Sequence, residues 1–426
     1  MVVQMTTLDL LVLSGKNILA VNPPVEDFAF FDLWSKPLGL LYLLEKLKEN
    51  GNDIEFIDCI HEGAVKSKSF GREKIAEIEI EKPEVYAGIK RKYHRFGMSD
   101  DAFRARLRST GRPDIILVTS IMTYWYGGVR HAIEILKQEF PCTPLYLGGI
   151  YAQLCTEHAR TLGADGVLAD FWLPDSKHPA FELYKKAPYG ITMTSFGCPM
   201  RCRYCASSLL WPVYVHRTLD EIVAEIEFEA SLGVRDVAFY DDALLIQKDK
   251  YLYPLLNSIK TRFGASLALH TPNGLHVREI DTECAEMLKT ANFRTLRLSL
   301  ESIDPKIARE SSGKVERQQY KTAVANLHAA GYTQKDCETY ILLGLPGQTV
   351  QSVKDTVDFA KECGGTPKLA EFSPIPGTPL FEEAAKKLPA LRTEPLLQNN
   401  SVYSSFISHT MSEETLQELK DYSRIK

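Results

Sequence analysis

The sequence predicts an α/β protein of two domains: a doubly wound, Rossmann-like domain, then a partial barrel of six β/α units ending in a short helical tail. Its 426 residues are too many for one compact core and suit two domains of ordinary size. Between 17 and 170, short apolar runs alternate with helix-length amphipathic segments, the pattern of a parallel sheet covered on both faces. From 189 a second alternation passes through six strand-like runs, fewer than the eight that close a standard barrel.

In order, "KNILAVNP", the helical "KPLGLLYLLEKLKENG" and "DIEFID" open the first domain, and "PDIILVTS", "GGVRHAIEILKQEF", "TPLYLGG", "YAQLCTEHARTLG" and "ADGVLAD" complete it. The polar segment 61–110 breaks this rhythm and reads as a solvated helical insertion, with a lid over a ligand as the alternative. Pro174, Pro179 and Pro188 mark the linker, so the first domain is expected over 1–175 and the barrel over 186–388, with the tail at 389–426. The barrel strands are "GITMTSF", "DVAFYDD", "SLALHTP", "TLRLSLES", "ETYILLGLP" and "KLAEFSPIP". After the first, "TLDEIVAEIEFEASLG" carries helix signals: Thr218 as N-cap with Glu221 three residues on, apolar Leu219, Ile222, Val223 and Ile226, and Gly233 beyond its end.

With 50 basic against 55 acidic side chains, no global field favours nucleic acid or an anionic membrane, and no nucleic-acid partner is expected. No run approaches the roughly 18 apolar residues of a membrane span, and no basic region precedes an apolar stretch at the N-terminus, so a cytoplasmic protein is expected. Nine cysteines without a secretion signal argue for reduced thiols, as ligands or as small buried residues.

"SFGCPMRCRYCASS" gathers Cys198, Cys202 and Cys205 on one short loop. A closed zinc site commonly takes its four ligands as two pairs, and no second pair accompanies these three. A [4Fe-4S] cube held at three corners leaves one iron open to a substrate or cofactor. The loop follows the first strand of the second repeat, at the face where barrel folds build their sites.

The C-x3-C-x2-C spacing resembles the signature of radical S-adenosylmethionine (SAM) enzymes, and the six-strand repeat resembles their partial barrel. The resemblance implies that Cys198, Cys202 and Cys205 bind three irons of a [4Fe-4S] cluster while SAM chelates the fourth. Cleavage of SAM then gives methionine and a 5′-deoxyadenosyl radical, with cofactor and cluster carrying the chemistry and the protein positioning them. Tyr204 matches the aromatic residue that shields the cluster or touches adenine. "FYDDALL" matches the place where the methionyl amino group is held, by Asp241 or Asp242; as an alternative, either acid caps the next helix. "LSLES" matches the ribose position, through Ser299 and Glu301 on one face of the strand; a pair of Glu301 with Arg297 is the structural alternative. In "YILLGLPGQT", Gly344 and Gly347 match a glycine motif that lies against adenine, with Gln348 where Glu is frequent. His270 and Asn273 are possible pocket groups, a satisfied structural histidine being the commoner case.

The first domain resembles the cobalamin-binding (B12) domain fused ahead of many radical SAM enzymes. Ser120 and Met122 fall in its Ser-x-Leu position, and Gly148 and Gly149 match the paired glycines that admit the corrin tail. The loop after the first strand, "NPPVEDFAFFDLWSKPLG", holds no histidine, so the D-x-H-x-x-G ligand motif is absent and cobalt would not be held from there. Tyr124, Trp125 and Tyr126 would line a domain interface or simply pack there. The resemblance implies an enzyme with a [4Fe-4S] cluster, SAM and cobalamin that transfers a methyl group to an unactivated carbon. Rearrangement, cyclisation or oxidation without cobalamin is the alternative, and a non-catalytic sensor or carrier a lesser one. The expected partners are a small or lipid-like substrate and an electron donor such as flavodoxin or ferredoxin.

Overall fold

The computed structural model describes residues 5–311, 313 and 315–424. The chain divides into two compact units. One holds the residues up to Pro188 together with Ala385–Asn399; the other holds Tyr189–Ala384 and the residues from Asn400 onward. The segment 389–426, read above as one tail, is thus shared between the units.

The first unit is built on a five-stranded parallel sheet. Its strands are β1 (Asn17–Asn22), β3 (Asp53–Asp58), β8 (Ile115–Val118), β9 (Leu145–Leu147) and β10 (Gly166–Val167), in the order β10-β9-β8-β1-β3. β1 and β8 run as "ILAV" and "IILV" and are buried on both faces, as a sheet covered by helices requires. Helices Leu38–Glu49 and Tyr126–Glu139 supply part of that cover, each with an apolar stripe turned inward. The expected helix over "YAQLCTEHARTLG" is broken at Cys155 into Ile150–Leu154 and Thr156–Ala159. Thr156 Oγ1 there accompanies the break by donating back to the carbonyls of Ala152 and Gln153.

The insertion departs most from expectation. Residues 61–110 contain one α-helix, Asp100–Arg108, two single 3-10 turns, and four short strands joined by loops: β4 (Ala64–Ser67), β5 (Glu73–Ile75), β6 (Glu77–Ile80) and β7 (Tyr93–Phe96). β7 pairs antiparallel with β6 and with β2 (Val25–Asp27), which lies in the loop after β1. The run "EIEI" at 77–80, in which glutamate alternates with isoleucine at a period of two, is the strand pattern that forms β6. Val25, Ile60, Ile75 and Phe96 form a small core beneath this sheet.

In the second unit six parallel strands follow the expected order: β11 (Gly190–Thr192), β14 (Asp236–Phe239), β15 (Ala268–His270), β17 (Phe293–Glu301), β18 (Cys337–Leu343) and β19 (Thr366–Glu371). A short β16 (Leu275–His276) also pairs with β17. The first run, "GITMTSF", splits into β11 and β12 (Ser195–Phe196), and β12 turns away to pair with β13 (Val215–His216). Helix Leu219–Ser231 begins at the capping box expected of Thr218 and Glu221: Glu221 N–H donates to Thr218 Oγ1 at 3.3 Å, and Thr218 N–H to Glu221 Oε2 at 2.8 Å.

Candidate functional site

Three buried anchors hold the segment that leads into the cysteine loop. Ile191 N–H donates to Glu229 Oε1 at 3.3 Å. Arg217, itself paired with Glu225 at 2.7 Å, donates to the Met193 carbonyl at 3.0 Å. The Asp241 carboxylate accepts from the amides and hydroxyls of both Thr194 and Ser195, at 2.6 to 3.0 Å. Burial raises the Asp241 pKa and these hydrogen bonds oppose the rise. Gly197 then turns with φ +82°, where a Cβ would overlap the Val213 carbonyl.

Beyond that turn Cys202 is buried, and Cys198 and Cys205 are half-buried. Met200 N–H points to Cys198 Sγ and Ser207 N–H to Cys205 Sγ, each at 3.4 Å. Such donors favour the thiolate, the form that ligates a metal. The middle of the loop is stitched down at Arg203, whose N–H donates to the Ser311 carbonyl and whose carbonyl accepts from Leu380.

The predicted SAM residues fall into three groups. Tyr204 and Glu301 are brought together: the Tyr204 hydroxyl donates to Glu301 Oε1. Burial, and then the Glu301 charge, push the tyrosine pKa well up, so it remains a donor. Glu301 is buried at φ +64°, and the pairing register with β18 shifts between Ser299 and Glu301. A left-handed glutamate ends the strict alternation that would set it on one face with Ser299. Arg297 pairs with Glu338 on β18 and not with Glu301.

Asp241 and Asp242, equivalent in the sequence, have different surroundings. Asp241 braces the strand end, whereas Asp242 accepts from Ser207 Oγ at 2.6 Å, beside the amide that faces Cys205. Gly344 and Gly347 both have positive φ, +87° and +77°. Gln348 ties their turn: Oε1 accepts from Gly344 and Leu345 N–H at 2.8 and 3.2 Å, and Nε2 donates to the Leu342 carbonyl at 2.8 Å. His270 is fully buried between Thr295 Oγ1 and Asp236 Oδ1, both at 3.0 Å, the satisfied structural case. Asn273 donates to the carbonyls of Tyr240 and Asp241.

In the first unit Ser120, Gly148 and Gly149 converge where β8 and β9 end. Ser120 Oγ donates to the Gly148 carbonyl at 2.7 Å, and Gly149, at φ +94°, leaves no space for a Cβ against the Ser120 backbone. Met122 is half-buried at the start of the turn Thr123–Trp125. A cleft opens beside them, lined by Asn22, Pro24, Phe30, Ser120, Ile121 and Trp125 among others, none of them histidine. Its walls are mainly apolar.

Sequence reasoning missed Asp27 in this unit. Burial pushes its pKa up, and it accepts from Trp125 Nε1 at 2.8 Å and from Asn399 Nδ2 at 2.9 Å. The 372 residues between Asp27 and Asn399 hide that pair from any local motif. The paired Gly127 and Gly128 were the available signal, since a Cβ on either would overlap Glu26 or the Pro24 carbonyl.

The radical SAM superfamily model matches residues 192–360. An uncharacterized methyltransferase of Pyrococcus horikoshii is 28% identical, over 86% of this chain and 83% of that one. The cytidylyl-2-hydroxyethylphosphonate methyltransferase of Streptomyces wedmorensis is 19% identical, over 87% and 82%. Among solved structures, the radical SAM methyltransferase TsrM from Kitasatospora setae, with cobalamin and a [4Fe-4S] cluster bound, superposes with a TM-score of 0.62 at 17% identity, over 88% of this chain and 75% of that one. The matched region contains the three cysteines and the barrel strands from β14 to β18, beginning at the last residue of β11, and the superposition extends to the Rossmann-like unit. Residues 192–360 thus resemble the radical SAM superfamily, and the chain shares the fold of TsrM, with a Rossmann-like unit ahead of a partial barrel.

Proposed function

We propose that this enzyme uses SAM, a [4Fe-4S] cluster and cobalamin to move a methyl group to an unactivated carbon of a small molecule. The single observation that carries the reading is the cysteine loop: three cysteines launched from the first barrel strand, two of them facing backbone donors, with Tyr204 tied to Glu301 on the fourth strand. When bound, the cluster supplies the electron that cleaves SAM, and cobalamin carries the methyl group.

The residues of the chain bind and orient. Cys198, Cys202 and Cys205 would hold the cluster, and Asp241 fixes the strand end from which they project. Asp242 stands beside that loop for the methionyl amino group, and Ser299 and Glu301 serve the ribose, with the Tyr204 hydroxyl keeping Glu301 in place. The Gly344–Gly347 turn, tied by Gln348, presents backbone to adenine. In the first unit Pro24, Phe30 and Trp125, beside Ser120, would form part of the surface that holds the corrin, and none of the residues lining their cleft is a histidine.

The cytidylyl-2-hydroxyethylphosphonate methyltransferase among the relatives and tryptophan, the substrate named for a TsrM structure, favour a small molecule. The electron comes from an external one-electron donor of the flavodoxin or ferredoxin kind. Among the described residues no helix is long and apolar enough to cross a membrane.

Anaerobic reconstitution with iron, sulfide and hydroxocobalamin tests the reading. One corrinoid should be retained per chain, and SAM with dithionite should yield both 5′-deoxyadenosine and S-adenosylhomocysteine. Cleavage of SAM without corrinoid uptake would move the assignment to a cobalamin-independent radical reaction. Absence of cleavage would remove both.

A further inference from the structure

After helix Asn400–Val402, the chain enters a π-helical turn, Tyr403–Ile407, closed by Ser408 N–H donating to the Tyr403 carbonyl at 2.7 Å. Turns of this type re-aim side chains and recur at functional sites. The segment is braced on its far side. Met411 N–H donates to the Ser404 carbonyl at 3.2 Å, and in the following helix Glu413–Ser423 Lys420 pairs with Glu371 at 2.6 Å while Tyr422 donates to Asp358.

Two residues of the turn lie on the ends of barrel strands. Tyr403 meets Phe372, the residue after β19, edge to face at 5.7 Å. Ser404 is fully buried against Gly344, the residue after β18, so closely that a Cβ on Gly344 would overlap its Oγ. The C-terminal ends of the strands are where barrel folds gather their ligands. Ser404 Oγ is buried with no hydrogen-bond partner among the described residues. The nearby Gly344 and Leu345 amides already donate to Gln348. An unpartnered hydroxyl in an interior site opposes folding, and alanine would avoid that cost.

We infer that Asn400–Met411 forms part of the SAM pocket and that the Ser404 hydroxyl hydrogen-bonds the adenine edge of bound SAM. The inference rests on the reading of the barrel as a SAM site, because it is the Gly344 turn that faces adenine there. Ser404 thereby adds recognition of the base from a segment outside the six β/α units.

The test compares the wild type with S404A, both anaerobically reconstituted with iron and sulfide. Binding is measured by equilibrium dialysis with SAM and with an analogue carrying hypoxanthine in place of adenine, and melting temperatures are measured on the unreconstituted proteins. S404A should bind SAM about three- to tenfold more weakly, discriminate less between the two bases, and melt at the same or a higher temperature. Should S404A melt lower, Ser404→Cys keeps the size, weakens the donor and should show the same loss of affinity. A variant that binds SAM as tightly as the wild type overturns the inference alone. A wild type that binds no SAM overturns the reading of the site, and the inference with it.

Discussion

At the scale of single residues, the buried acids of the barrel divide into those that position and those left facing the cluster loop. Asp241 takes four donors from Thr194 and Ser195, while Asp242 accepts from Ser207. Asp241→Asn should therefore lower the iron retained per chain after reconstitution, read by metal analysis and visible absorption. Asp242→Asn should keep the iron and weaken SAM binding about tenfold, the loss of one charged hydrogen bond. Glu229 allows a pH test. Burial, and then the charge of neighbouring Glu225, raise its pKa well above the carboxylate range, and its Oε2 is buried with no partner among the described residues. A raised folded pKa means that the stability it contributes is complete below the unfolded glutamate value and is lost as pH rises toward the folded one. Glu229→Gln should thus be more stable than the wild type at neutral pH, with the gap closing as pH falls through the ordinary glutamate range, measured by denaturant unfolding at several pH values. The sequence made the acids visible as "YDD" and "EIEFE" but could not separate their roles, because a one-residue step along the chain exchanges a buried brace for a half-buried side chain.

At the scale of elements, legibility followed the range of the interaction that shapes each one. The helix Leu219–Ser231 was readable because its capping box lies within four residues, and Thr218→Ala should cost about 1 kcal/mol by urea denaturation. Its consequence extends beyond the helix, since Glu225 and Glu229 project from it to anchor the first barrel strand. The six barrel strands were likewise readable from local apolar runs. The insertion was not, because its charge suggested a solvated helix, while the two-residue alternation of "EIEI" marks only one of its strands, β6. Nor could pattern foresee that β7 would recruit β2 from the loop after β1, a pairing across some seventy residues. At Glu301 a regular strand reading failed where the backbone turns left-handed, and there the carboxylate meets Tyr204.

At the scale of the molecule, the unforeseen feature is that Ala385–Asn399 belongs with the first unit. Tyr86 donates to the Leu396 carbonyl at 2.7 Å, Tyr126 to Glu394 at 2.9 Å, and Asn399 to Asp27. Asn399→Ala leaves a buried carboxylate short of a donor and should cost about 1–3 kcal/mol by chemical denaturation. A fragment ending at Pro188 should melt below the same fragment supplied with a peptide of residues 385–399.

This arrangement has a bearing on how the protein is made. A ribosome adds about 5–20 residues each second, so Asp27 leaves the exit tunnel on the order of tens of seconds before Asn399 is synthesised, 372 positions later. Throughout that interval the nascent first unit lacks residues 385–399, with the carboxylate and the tyrosines that will receive them still waiting.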